Sequence, residues 1–365
     1  MHRTASGCST SLKWWGCLRN KPMDSQEPAI GVLLINIGTP ERPDTGSVRK
    51  FLMRFLMDRR VISIPAVARM LLVRGIIGPL RSKRSAREYR LIWQAGGSPL
   101  TVHSQAFAQG LQAELGGTFA VHLAMRYSQP DIAEVLGAMQ ARQYQQIIVM
   151  PMYPHNASST TGSAAEEVFR QLARWDSVPG ISVIAPFYDQ PEFIRSMAHR
   201  ISAFSMADYD TAVFSYHGLP ASHLPACISS CGNGACTASG TAASRHCYKR
   251  QCLATTDLLA AAAGIAPEQC VTSFQSRMSK SWIGPFTDTR AEQLLAEGKT
   301  RLLVISPAFA ADCLETLGEV GIHLRGHFLA AGGTRFDTVP CLNGDAFWTA
   351  EAAGLVRRHA HFTTH

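Results

Sequence analysis

No stretch of this 365-residue chain is apolar and unbroken enough to cross a bilayer. The best candidate, residues 64–80, is interrupted by Pro65, Arg69, Arg74 and Pro79. Residues 1–27 carry Arg3, Lys13, Arg19 and Lys21 without an apolar centre, so they do not read as a secretory signal. They are expected to form a disordered tail, or to precede a true start at Met23. No Gly-x-Gly-x-x-Gly fingerprint follows the first strand-like run, which disfavours a dinucleotide enzyme. No Cys-x2-Cys knuckle occurs among the ten cysteines, which counts against a zinc ribbon. Acids are scarce between residues 49 and 90, where Asp58 and Glu88 face twelve Lys or Arg, a local charge of +10 in a chain of net +8. The remainder is therefore slightly acidic. Such a local field suits phosphate, carboxylate or an acidic membrane surface, and no nucleic-acid partner is expected.

With 46% hydrophobic and 17% charged residues the composition is that of a globular protein, and the length favours two domains. Residues 29–36 are a continuous apolar run, the pattern of a strand buried on both faces, stopped by Gly38-Thr39-Pro40. Helical spacing of Val48, Phe51, Leu52, Phe55 and Leu56 follows, with Arg49, Lys50 and Arg54 on the other face. Residues 61–80 are too apolar for an exposed loop and too rich in arginine for a core; they read as a lip that rests on lipid or guards a pocket, or as a buried helix pair. Further strands are expected at 119–125, 146–150 and 181–186, with helices between them. Residues 158–163 (Ser-Ser-Thr-Thr-Gly-Ser) supply helix-capping hydroxyls. The order then repeats, with strands at 211–216, 270–274 and 301–306. Gly38-Thr39-Pro40 recurs as Gly218-Leu219-Pro220, and the stop at Pro151 recurs at Pro307. Two similar α/β halves with parallel sheets, Rossmann-like and separated by a cleft, are expected.

His217 ends an apolar strand at the turn Gly218-Leu219-Pro220, where open α/β sheets place their ligand crevices. Alone, it reads first as a structural histidine closing a strand. After Pro307, Asp312, Glu315 and Glu319 follow in one segment, and in a helix Glu315 and Glu319 share a face. Asp312 with Glu315 also matches a capping box. A histidine opposite a row of carboxylates makes a proton acceptor or a transient metal contact, unlike a closed zinc site. Five of the cysteines, Cys227, Cys231, Cys236, Cys247 and Cys252, crowd one Gly- and Ser-rich stretch. Without a signal sequence they read as a metal site before a disulfide framework, and thiolates so spaced suit an iron–sulfur cluster.

These residues together resemble the ferrochelatase family over roughly residues 28–360. The resemblance rests on Leu33-Leu34-Ile35-Asn36-Ile37-Gly38-Thr39-Pro40, Gly97-Ser98-Pro99-Leu100, Arg126-Tyr127, Tyr153-Pro154 before Ser159-Thr160-Thr161-Gly162-Ser163, and Ser215-Tyr216-His217-Gly218-Leu219-Pro220. It continues through Phe274-Gln275-Ser276-Arg277, Trp282-x-Gly284-Pro285-x-Thr287-Asp288, Asp312-Cys313-Leu314-Glu315-Thr316-Leu317 and Cys341-Leu342-Asn343. It implies insertion of ferrous iron into a porphyrin, with His217 as the essential base or metal contact and Glu315 as the opposing carboxylate. Glu319 and Asp312 would continue an acidic path, while Arg126, Tyr127, Tyr153, Trp282 and Phe309 would line the porphyrin pocket. Lys83 and Arg84 with the 51–80 lip would lie near its mouth. The resemblance points to protoporphyrin IX, with coproporphyrin III or a non-catalytic haem or porphyrin carrier as alternatives, and to a cytoplasmic protein in peripheral contact with a membrane. The cysteine stretch resembles that of bacterial members whose 2Fe–2S cluster is held by an internal insertion. Cys252, before Ala254-Thr255-Thr256, resembles a position found in cluster-free members too. The expected boundaries are a first domain over 28–190 with a lip at about 48–84, and a second over 191–343 with the insertion at 221–252. A final helix within 344–365 packs back on the first.

Overall fold

The apolar run near the start of the chain forms β1 (Ile30–Asn36), and each of its seven residues is buried. A computed structural model describes residues 28–224 and 245–361. Around β1 lie β2 (Phe119–Met125), β3 (Gln146–Pro151) and β4 (Gly180–Val183), parallel, in the order β2-β1-β3-β4. A second sheet repeats that plan with β5 (Thr211–His217), β6 (Cys270–Gln275), β7 (Arg301–Ile305) and β8 (Arg335–Thr338) in the order β6-β5-β7-β8. The two halves expected from the recurring turns are thus present, each a parallel sheet flanked by helices. β8 was not foreseen: its four residues are too few and too polar to stand out.

Period-two geometry explains why the central strands are apolar throughout. Val32 and Leu34 of β1 share one core with Phe214, Tyr216, Leu303 and Ile305 of the second sheet. Leu33 and Ile35 point the other way, into a separate cluster, and Val213, Leu302 and Val304 do the same in the second half. Each such side chain contributes about 1.5–3 kcal/mol on burial, so both faces of both sheets are anchored.

The helices follow in chain order. α1 (Thr45–Leu56) is capped by Asp44, which accepts from the Gly46 and Ser47 amides at 2.8 and 2.9 Å, and it buries Val48, Phe51 and Leu56. The segment expected to form a lip is one continuous helical run: α2 (Ala66–Leu71), a π-helical turn (Leu72–Ile77), then α3 (Gly78–Ile92). No residue of α2 is buried, whereas α3 buries Ser82, Ala86, Tyr89 and Ile92 against α1 and the second half. Next come α4 (Pro99–Leu115), α5 (Ile132–Ala141), α6 (Ser163–Leu172) and α7 (Pro191–Ile201). The second half adds α8 (Tyr248–Ala263), α9 (Thr287–Ala296), α10 (Arg325–Ala330) and α11 (Ala346–Arg357). α8 starts five residues before the helix expected near Leu253. Its first turn looks polar in sequence, yet Tyr248, Lys249 and Gln251 are all buried.

α11 packs against α4 and α7 and so reaches back to the first half. Its Trp348, 1% exposed, stacks on Phe107 and Phe187 with ring centroids 5.6 and 6.0 Å away. Just beyond it, the Gln146 side chain donates to the His359 carbonyl at 2.7 Å and accepts from the His361 amide at 3.0 Å. The ends of the two sheets also meet: Ile37 and Leu100 pack with Phe309, Ala311 and Cys313.

Candidate active site

β5 and β6 end side by side, with His217 paired to Gln275, and their last residues with the loops beyond them build one wall. β5 delivers His217, half-buried. Its Nδ1 lies 2.6 Å from the Gly218 carbonyl, which can only accept, so Nδ1 carries a proton and, in the neutral ring, Nε2 is the nitrogen with the lone pair. A side chain at Gly218 would meet the Gln275 carbonyl at 2.7 Å and the Trp282 ring at 3.2 Å. Glycine is therefore required where the turn doubles back. The Trp282 loop is stitched to that turn through the Ala221 amide to Ser281 carbonyl and the Ile283 amide to Leu219 carbonyl, at 3.1 and 2.9 Å. Trp282 and Phe309 flank the imidazole with centroids 6.3 and 6.2 Å away.

The acidic segment is a π-helix over Leu314–Leu324 and begins two residues after the start expected at Asp312. Its cap is made by Cys313 and Thr316: the Thr316 hydroxyl accepts from the Cys313 amide at 3.0 Å and donates to Asp312 at 2.9 Å. The expected Asp312–Glu315 capping box is therefore not the one that forms, and Glu315 is released from that duty. Glu319 is held by Ser276, whose amide and hydroxyl donate to its two oxygens at 2.6 Å each. Ser276 adopts φ +64°, a left-handed conformation that turns both donors toward the carboxylate. Burial pushes the Glu319 carboxyl up; the Ser276 hydrogen bonds oppose the rise, Glu315 adds to it and His217 opposes it. Gln275 ties the wall together, accepting from Ser215 at 2.6 Å and donating to the Glu315 carbonyl at 3.2 Å.

Asp312 is placed differently. It is buried, one oxygen engaged by Thr316 and the other by Asn343 Nδ2 at 2.7 Å, while its amide donates to Asn343 Oδ1 at 2.8 Å. These bonds make it a strut between the acidic helix and the loop after β8.

The first half supplies Arg126 and Tyr127 beyond β2 and Tyr153 beyond β3. Arg126 donates to Ser163 Oγ at 2.8 Å and to Asp58 at 3.0 Å, and the Tyr127 hydroxyl donates to Asp58 at 2.8 Å. Burial would raise the Asp58 carboxyl, but hydrogen bonds from Ser163, the Arg60 amide and Tyr127, with the Arg126 charge, hold it below its usual value. The basic charge of Arg126 is thereby answered inside the protein. Tyr153 lies beside this group, its hydroxyl buried without a hydrogen-bond partner among the described residues.

Several residues that shape the site escape sequence reasoning. Tyr248 donates its hydroxyl to the His217 carbonyl at 2.8 Å, fixing the backbone that carries the imidazole. His155 is enclosed by Tyr188, Tyr216 and Tyr248, with ring centroids 6.0, 5.3 and 5.9 Å away, and bonds Thr255 at 3.0 Å. Burial drives its pKa down to about 3. Tyr89 of α3 lies within the field of Glu315, and burial pushes its hydroxyl well up. The one available signal was the polar first turn of α8, where burial of Tyr248 is legible only through contacts from the other half.

Cys227, Cys231 and Cys236 lie outside the described residues. Cys247 caps α8, and Cys252, 0% exposed, sits within the shared core, where burial raises its thiol well above the usual range. A thiol so placed does not fit a cluster ligand. Among the described residues, no group of three or more His, Cys, Asp or Glu is arranged to hold a metal ion.

The ferrochelatase family model matches residues 29–360. A ferrochelatase of Opitutus terrae is 41% identical over 323 residues, covering 87% of this chain and 93% of the relative. One of Coxiella burnetii is 37% identical over 336 residues, covering 90% and 93%. A Legionella pneumophila ferrochelatase is 37% identical over 329 residues, covering 89% and 98%. The structure of SirB from Bacillus subtilis with Fe3+ superposes with a TM-score of 0.53 at 14% identity, over 91% of this chain and 96% of that one. At that identity it speaks for the fold alone.

Proposed function

The chain belongs to the ferrochelatase family, and from that premise we propose that it inserts ferrous iron into protoporphyrin IX, with His217 as proton acceptor opposite Glu315. One observation carries the assignment of roles: the Gly218 carbonyl occupies Nδ1–H, so Nε2 is the free base of the imidazole. A flat porphyrin keeps two N–H protons in plane and hides its nitrogen lone pairs. Binding the large apolar macrocycle in a bent form exposes them, so that contact with aromatic walls such as Trp282 and Phe309 is spent on distortion. The first pyrrole proton then passes to Nε2 as the metal enters. Glu315 and Glu319 receive the second proton or guide the cation, and the raised pKa of Glu319 suits a group that holds a proton briefly. Tyr153, Arg126 and Tyr127 would face the other side of the macrocycle, with Asp58 holding the last two in place.

His217→Ala should abolish insertion of ferrous iron under anaerobic conditions while porphyrin fluorescence still reports binding. An active His217→Ala enzyme would overturn the assignment. Support for protoporphyrin over coproporphyrin comes from the lip, where Val67, Leu71 and Leu80 are 67%, 65% and 72% exposed. An apolar surface of that kind suits a lipid-soluble substrate and a peripheral seat on the cytoplasmic face of a membrane. No helix among the described residues is long and apolar enough to cross one. Turnover measured side by side on the two porphyrins decides: faster insertion into coproporphyrin would reject the choice.

With Cys252 withdrawn into the core, a 2Fe–2S cluster would be held by Cys227, Cys231, Cys236 and Cys247, and it would supply a redox-sensitive structural link beside α8. The support is their spacing in the sequence and the place of Cys247 at the start of that helix. Anaerobically purified protein without visible absorbance in the blue to green, and without acid-labile sulfide, would remove the cluster.

A further inference from the structure

An open groove of about 510 Å³ lies beneath the lip and shares no residue with the His217–Glu315 wall. Arg59, Arg60 and Arg69 line it, with Ser158 and His223. Arg59 and Arg60 both pair with Glu166, and Arg60 also donates to Ser158 Oγ at 3.0 Å. Arg69 donates only to the Ile62 and Ile64 carbonyls, at 3.1 and 3.0 Å, and has no acidic partner among the described residues. Three guanidinium groups thus line a groove in which one carboxylate, Glu166, answers two of them. Two further nitrogens, Arg69 Nε and His223 Nδ1, are buried without a hydrogen-bond partner among the described residues. The unmet Arg69 Nε donor is costly, and the surplus of cationic over anionic side chains makes an anion the fitting occupant of the groove.

What fills it must be anionic, with several oxygens to accept from converging N–H groups. Its surroundings narrow the source. Ile64 is itself part of the lining, and the chain runs on from it into α2, whose Val67 and Leu71 stand open to solvent. A basic hollow bordered by a bare apolar helix matches a molecule that is anionic at one end and apolar at the other. We propose that this groove receives the phosphate of an anionic phospholipid headgroup, with the acyl region lying along α2. The inference rests on reading the lip as membrane-facing, and it adds a headgroup site and an orientation to that reading. Seated in this way, the lip would meet the leaflet with Arg59, Arg60 and Arg69 at headgroup depth and Val67 and Leu71 below it.

The test is co-sedimentation of the full chain with phosphatidylcholine vesicles, with and without phosphatidylglycerol. The R59Q/R69Q variant keeps Arg60 on Glu166 and Ser158 but loses the Arg69 bonds to the Ile62 and Ile64 carbonyls, so its thermal unfolding is compared with that of the parent protein. It should bind the anionic vesicles roughly thirtyfold more weakly, the loss of two basic contacts of ~1 kcal/mol each. R49Q/R87Q removes the same charge from exposed sites on α1 and α3 and should bind nearly as the parent protein does. Equal loss in both pairs would reduce the effect to general charge and overturn the site. Displacement by inorganic phosphate beyond that caused by chloride at equal ionic strength would assign the groove to free phosphate and overturn the lipid. V67E/L71E separates the two levels. If it alone abolishes binding, the headgroup site is wrong and the lip reading stands; if neither it nor R59Q/R69Q matters, the lip reading falls and takes the site with it.

Discussion

Lowering the pH from 8 to 5 should cost the native state about 2 kcal/mol through His155 alone. The imidazole sits among Tyr188, Tyr216 and Tyr248 and bonds Thr255, and its Nδ1 is buried without a partner among the described residues. Burial lowers its pKa from 6.5 to about 3. Above pH 6.5 the ring is neutral whether the chain is folded or not, so it contributes nothing to pH dependence. Below that value the unfolded chain gains a proton that the native state refuses until the pH nears 3, and stability falls across this window. At pH 5 the unfolded group lies about 1.5 units below its pKa, which gives the figure of about 2 kcal/mol. That figure holds as long as the native value stays well under 5. His155→Phe keeps an aromatic ring in the cage and removes the titration. Urea unfolding of both proteins at pH 8 and pH 5 yields a difference of differences in which the other titrating groups cancel. Equal losses for the two proteins would refute the reasoning, because they would mean that His155 takes up its proton while folded.

Asp58→Ala should destabilise the protein by about 3 kcal/mol in urea, since Arg126 would keep a half-buried charge and Tyr127 and Ser163 would lose their acceptor; a loss under about 1 kcal/mol would show the network to be dispensable. Tyr248→Phe removes the donor to the His217 carbonyl, worth about 1 kcal/mol, and should lower kcat roughly fivefold with KM for porphyrin little changed. A rise in KM with kcat intact would instead place Tyr248 in substrate binding. In infrared titration, a carboxyl band absent from Glu319→Gln should appear on acidification above the ordinary glutamate range; a band that titrates at or below that range would contradict the burial argument.

The strands of both halves were legible because a strand buried on two faces must be apolar along its whole length, and that pattern is local. β1, β3, β5 and β7 stand out for this reason, as do the turns that stop them. β8 did not, since an edge strand of four residues needs no such run. His217 and Glu315 were legible as types in a recurring order. Their setting was not. The π-helical form of the acidic segment, the Cys313–Thr316 cap and the start of α8 depend on what packs against them. Tyr248 gains its role from His217, 31 residues back in the same half, and His155 bonds Thr255, 100 residues away in the other half.

Asp312 and Glu319 mark the division most clearly. Both are acids in one short segment, and their sequence gave no ground for treating them differently. In the folded chain Asp312 meets Asn343, 31 residues on, and becomes framework, while Glu319 meets Ser276, 43 residues back, and remains in the field of His217. By itself the sequence determined two parallel-sheet halves and the family, because hydrophobic period and turn chemistry act between near neighbours. Only the tertiary structure decided which carboxylate serves the site and which braces it. That choice is made by hydrogen bonds whose donors arrive when the ends of separate strands come together.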